Sequence, residues 1–149
     1  MENYLSELFE RDLLKLRDEI KNFKNEANIW KTTDGITNSA GTLTLHLLGN
    51  LNYTVGTLLG GTGYIRNREQ EFSLRDVPQA KLVADIESTI EVVKAGLNGI
   101  DQSKLDEIYA LDFLGKHSTV WYLTMFYGHL NYHLGQVNYL RRILESLTV

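Results

Sequence analysis

A chain of 149 residues, 43% hydrophobic and 23% charged, has the composition of one globular domain and excludes a disordered, collagenous or low-complexity polymer. It contains no cysteine, so disulfides, thiolate metal ligands and a cysteine nucleophile are excluded as well. Fifteen Lys and Arg against nineteen Asp and Glu leave a net charge of −4, which provides no general basic surface for the phosphates of a nucleic acid. The expectation is a single domain over residues 1–149 with no nucleic-acid partner. The acidic start, Met1-Glu2-Asn3-Tyr4-Leu5-Ser6-Glu7, lacks the basic leader and apolar stretch of a secretory signal. No apolar run is long enough to span a bilayer, and a cytoplasmic protein without a membrane partner is expected.

Helical periodicity picks out four stretches. In the first, over roughly residues 2–24, Leu5, Phe9, Leu13, Leu16, Ile20 and Phe23 recur at steps of three and four with charged residues between them, as on an amphipathic surface helix. The second begins near Asn38 or Ser39, either of which can cap a helix through its side-chain oxygen. It runs through Leu43, His46, Leu47, Asn50, Tyr53, Thr54 and Leu58 to a stop at Gly60-Gly61-Thr62-Gly63. For the third, Asp76 is the expected cap and Pro78 lies in the first turn, with Leu82, Ile86, Ile90, Val93 and Leu97 on the apolar face and Asn98-Gly99 at the end. Ser118 opens the fourth and longest, which carries Trp121, Met125, His129, Tyr132, His133, Gln136, Leu140 and Leu144 along the side expected to face inward. The connections at about 25–38, 61–77 and 100–117 read as loops, long enough that sequential helices need not be antiparallel neighbours.

Charge is distributed unevenly among these helices. No Asp, Glu, Lys or Arg occurs between Asp34 and Arg66, or between His117 and Arg141. A helix without a charged face is covered on more than one side, so the second and fourth helices are expected as an inner pair or as a homodimer interface.

Within those two helices lie three of the four histidines. His129 and His133 are four residues apart, hence about 6 Å along a helix axis and about 40° around it, and their rings leave the same face. His46 occupies the middle of the second helix. Buried imidazoles need partners, because an unsatisfied buried polar group costs about 1–3 kcal/mol. A divalent cation would satisfy all three rings; a hydrogen-bonded core network of His, Asn and Tyr would do so too. Three neutral imidazoles suit zinc, nickel, copper or iron better than magnesium or calcium, and three protein ligands leave an open coordination position.

His46, followed by His129-Leu130-Asn131-Tyr132-His133-Leu134-Gly135-Gln136, resembles the metal-binding pattern of the DinB-like superfamily. The phrase Gly60-Gly61-Thr62-Gly63-Tyr64-Ile65-Arg66-Asn67-Arg68-Glu69-Gln70-Glu71-Phe72 is similar to a loop in one uncharacterised bacterial branch of it. The resemblance implies an all-α, up-down-down-up four-helix bundle, usually a homodimer. It also implies a divalent metal, zinc or nickel, on a triad that matches His46, His129 and His133 here. Some relatives transfer low-molecular-weight thiols and others isomerise maleylpyruvate. No motif in this chain identifies a thiol cofactor, so such an activity rests on fold analogy.

The remaining signals are smaller. The Gly60–Gly63 cluster follows a helix and lacks the Lys-Ser/Thr of a phosphate loop, so it reads as a helix stop. Arg66 and Arg68 could hold a substrate carboxylate, or lie in solvent or at an interface. Gln136 could orient a ligand ring or make a plain core hydrogen bond. His117 reads as a capping-region or surface residue at the start of the fourth helix, and Tyr53, Tyr127 and Tyr132 lie near the triad by helical phase, as core aromatics rather than proton donors. No carboxylate shares the triad's faces, so no general base is named. The expected function is a metal-dependent activity on a small molecule, with thiol transfer or metal-assisted hydrolysis as the reaction. The alternative is a non-catalytic dimeric bundle with a structural metal or none.

Overall fold

Phe9, Leu13, Leu16 and Ile20 follow one another at helical spacing and are fully buried, which makes α1 (Tyr4–Lys21) one wall of the core in a computed structural model that describes residues 4–146. Next, Ser39 accepts a hydrogen bond from the Thr42 amide at 3.1 Å and starts α2 (Ala40–Leu51). The helix then widens into a π-helical turn, Asn52–Thr57, and ends at Gly61, whose φ is +66°. α4 (Gln79–Leu97) follows the short α3 (Arg68–Ser73), and α6 (Thr119–Ser146) follows the short α5 (Gln102–Asp106).

Side-chain pairings fix how the four long helices run. Gln79 donates to the Ile20 and Phe23 carbonyls while Lys94 pairs with Glu10, so α4 descends along a rising α1. Asn52 bonds Thr89, and Gly96 packs against Val55, so α2 and α4 run in parallel. Tyr127 meets Asp12, and Arg141 meets Glu19, so α6 rises beside α1. The result is the expected up-down-down-up bundle. One hydrophobic cluster drawn from all four helices fills its centre. Gly96 is required for the close α2–α4 approach, because a Cβ there would lie 2.9 Å from the Val55 carbonyl oxygen.

Three expectations need correction. The long connections carry short helical segments: a 3₁₀ turn at Glu26–Trp30, α3 and α5, capped by Asn25, Asn67 and Asp101. Such pieces are too short to show a period. Asp76 does not cap α4: its φ is +58°, Pro78 occupies the cap position, and the Gln79 amide is satisfied by the Glu26 carboxylate at 2.5 Å. On α6, the inward row is Tyr122, Phe126, Leu130, Val137, Leu140 and Leu144. Trp121 and Tyr132 are instead exposed, and His129 and His133 lie half-buried on the flank. The charge-free helices thus differ. α2 is buried almost all round, whereas α6 keeps one uncharged side in solvent. Among the described residues no helix is long and apolar enough to cross a membrane.

Candidate metal centre

α2 and α6 are antiparallel neighbours, and this brings His46 opposite the His129–His133 step. His46 Nε2 and His129 Nε2 are 3.1 Å apart. The ring centroids of His46 lie 5.0 Å from His129 and 5.5 Å from His133. One ligand nitrogen from each of the three rings lies within 4.8 Å of the others, a cluster that could hold a metal ion. Two nitrogens bound tetrahedrally at 2.0–2.1 Å sit about 3.3 Å apart, close to the His46–His129 spacing.

Hydrogen bonds at the rear of two rings orient them. His46 Nδ1–H donates to Glu71 Oε1 at 3.0 Å, and His133 Nδ1–H donates to Gln136 Oε1 at 2.7 Å. With Nδ1 carrying the proton, each ring turns an Nε2 lone pair toward the cluster. Glu71 is itself held by Arg66, whose Nε and Nη2 reach its two oxygens at 2.8 and 2.9 Å. Burial opposes ionisation of the Glu71 carboxyl, but Arg66 and His46 outweigh it and hold its pKa below the ordinary value. Burial, aided by His133, His46 and Arg66, pushes His129 down to about 4. Burial also lowers the His133 pKa, against the opposing effect of its hydrogen bond to Gln136. Both rings are therefore neutral at neutral pH, the form that ligates.

Glu71 is the residue that helix-face reasoning missed: no carboxylate shares the triad's faces on α2 and α6, and this one reaches His46 from a third element. Glu71 comes from α3, in a connection read as loop, and enters the bundle beside Gly49. A Cβ at Gly49 would overlap the Glu71 carboxylate, so the glycine one turn after His46 opens the passage. That glycine, on an otherwise apolar buried face, was the available signal. Arg66 is only partly exposed, and its fork is engaged by this internal carboxylate and is not free for a ligand's. Arg68 lies over the Phe72 ring at 5.0 Å, and Phe72 packs on His46 at 4.9 Å.

The other sequence candidates divide cleanly. Tyr132 is beside His133, its ring centroid 5.2 Å away. Tyr127 points to α1, where it donates to Asp12 Oδ2 at 2.5 Å, so its expected proximity to the triad is not found. Tyr53 is near Tyr109, whose phenol burial pushes upward. His117 stays outside the cluster: it stacks on Trp121 at 3.8 Å and donates to the Leu114 carbonyl.

Two clefts flank the triad. One of about 350 Å³ is lined by His46, His129, Asn50, Arg66, Arg68 and an apolar wall that includes Phe113 and Met125. The other, about 470 Å³, has His133, Gln136, Tyr132, Tyr139 and Ile36 among its lining residues. The family model for the protein of unknown function DUF1572 matches residues 2–148. No curated protein matches the chain. With an all-helical bundle and a His cluster compatible with metal binding, the chain belongs to the DUF1572 family, part of the DinB-like clan.

Proposed function

We propose that His46, His129 and His133 hold a divalent metal ion, zinc or nickel, and that the centre acts on a small molecule. The observation that carries this reading is the Arg66–Glu71–His46 relay behind one ring, together with Gln136 behind another. Metal-bound histidines characteristically donate their second N–H to a carboxylate or carbonyl oxygen, which fixes the tautomer and raises ligand basicity. The 3.1 Å between His46 Nε2 and His129 Nε2 is a hydrogen-bond distance between the two rings and is also close to the separation of two nitrogens on one tetrahedral ion, so loss of the His129 proton would leave both lone pairs available to a metal.

A catalytic role is favoured over a structural one by the donor count. Structural zinc sites are closed by four protein ligands, whereas three imidazoles leave a position for an exogenous group. Among the described residues the cluster contains three donors, and Glu71 is occupied by Arg66 and His46. A bound ion supplies Lewis acidity, lowering the pKa of a thiol or water at the open position. The protein's own contribution is orientation. Glu71 and Gln136 hold two rings, and the clefts give a substrate access from two sides. The reaction proposed is transfer of a small thiol to an electrophile: the thiol proton goes to solvent, a carbon–sulfur bond forms and the electrophile's leaving group departs.

We further propose a cytoplasmic homodimer. Support for dimerisation comes from Trp121, Tyr132, Tyr139 and Ile143, which are exposed along the uncharged side of α6. Metal analysis of tag-free protein, combined with a turnover screen of thiols against electrophiles, tests the functional reading. Bound metal that is lost in His46→Ala, with metal-dependent turnover, is the expected outcome. Bound metal with no turnover, and a collapsed melting temperature on chelation, would favour a structural ion.

A further inference from the structure

The 350 Å³ cleft next to His46 and His129 has a charge pattern of its own. Arg66 and Arg68 both line it, and no Asp or Glu is among its lining residues, in a protein whose net charge is −4. The two arginines are not equivalent. Arg66 is neutralised by its bidentate contact with Glu71. Arg68 takes part in none of the ion pairs among the described residues and rests its guanidinium on the face of Phe72. An arginine resting over an aromatic ring keeps N–H donors of its fork available at the rim.

Deeper in the same cleft lies Asn50, 8% exposed, whose Oδ1 has no hydrogen-bond partner. A buried amide oxygen without a partner costs about 1–3 kcal/mol, so the site is built to receive a donor. Leu111, Phe113, Met125 and Phe126 supply an apolar wall between these polar points. Surplus positive charge at the rim, an unused acceptor inside and an apolar wall specify one ligand chemistry. The volume is at the lower end of small-molecule sites.

We propose that this cleft binds a small organic carboxylate with an apolar body. Its carboxylate sits on Arg68, its apolar part lies against Phe113 and Met125, and a donor group reaches Asn50. This names the substrate class for the triad's site and in that respect rests on the functional reading above. The arginine, the amide and the apolar wall belong to the polypeptide itself, so binding is measurable with and without metal.

The test is calorimetric titration of 3-(4-hydroxyphenyl)propanoate, whose phenol supplies the donor for Asn50, and separately of its neutral amide, into chelator-treated and metal-loaded protein. The expected result is saturable binding of the acid to both forms, with the amide weaker by about tenfold or more. Arg68→Gln should weaken the acid by a similar factor, leave the amide unchanged and keep the wild-type metal content. Arg68→Lys, a point charge without the fork, should fall between. Equal affinity for acid and amide, no effect of Arg68→Gln, or no binding of either probe at millimolar concentration would overturn the proposal. Loss of metal binding in wild-type protein with acid-selective binding intact would instead remove the metal reading and leave this subsite standing.

Discussion

Glu71 lies directly against Gly49, in the space a side chain at position 49 would occupy, and from there it reaches His46 Nδ1 at 3.0 Å. The alignment of a ring on α2 therefore depends on a carboxylate carried by another segment, and that segment can approach only where α2 has no Cβ. Gly49→Ala should push Glu71 outward and free the His46 ring. Metal affinity should drop by about 10–100-fold, the usual cost of losing such a partner, as read by competition with a chromophoric chelator. Unchanged affinity would mean that Glu71 does not orient His46.

Glu71→Gln separates charge from shape. The amide can still accept from His46 Nδ1 but leaves Arg66, half-buried, without its counter-ion. Breaking a buried ion pair from one side costs about 3–5 kcal/mol, and the partial exposure of Arg66 puts the expected loss below that range. Urea denaturation of the metal-free protein measures it. Restoration of stability in the Glu71→Gln/Arg66→Met double variant would confirm that the isolated arginine is the cause.

A second buried carboxylate serves the bundle and not the site. Asp12 of α1 is fully buried and is met by Arg11 at 2.9 Å, Lys15 at 3.4 Å and the Tyr127 hydroxyl at 2.5 Å. Burial opposes its ionisation, but Arg11, Tyr127 and Asn131 hold its pKa well below the carboxylate range. Asp12→Asn should cost about 1–3 kcal/mol of stability, read by urea denaturation, with metal content unchanged. Because the folded pKa is depressed, the stabilisation from Asp12 is fully present above the unfolded value near 4 and is lost as pH falls through the folded one.

The triad imposes a pH dependence in a different window. His129 titrates at about 4 in the folded chain and at about 6.5 when unfolded, so the unfolded state binds more protons between these values. The metal-free protein should keep its full His129 contribution above pH 6.5 and lose stability as pH falls from there toward 4. Melting temperatures between pH 4 and 7 check this. His129→Gln should flatten that part of the profile, and an unaltered profile would contradict the burial argument.

Much of the bundle was legible because its signals are periodic. The rows Phe9–Leu13–Leu16–Ile20 and Leu82–Ile86–Ile90–Val93 repeat over several turns, and the four-residue step from His129 to His133 fixes a common face without tertiary information. The relay behind His46 was not legible. Glu71 and Arg66 lie in and beside a six-residue helix, too short to show periodicity, and their burial is decided by Gly49 on another element. The burial of Asp12 likewise follows from Tyr127, distant in sequence on α6. The orientation of α6 was misjudged because an uncharged face need not be covered by helices of its own chain. Tyr132 and Tyr139 remain exposed, and the histidines occupy the border between core and solvent.

The most direct measurement is elemental analysis of protein purified without an affinity tag and re-loaded with zinc or nickel, for the wild type and for His46→Ala and His133→Ala. Three converging imidazoles should retain about one ion per chain in the wild type and well under half that in either variant. Less than about 0.2 ion per wild-type chain, or equal metal in all three proteins, would contradict a metal centre at His46, His129 and His133.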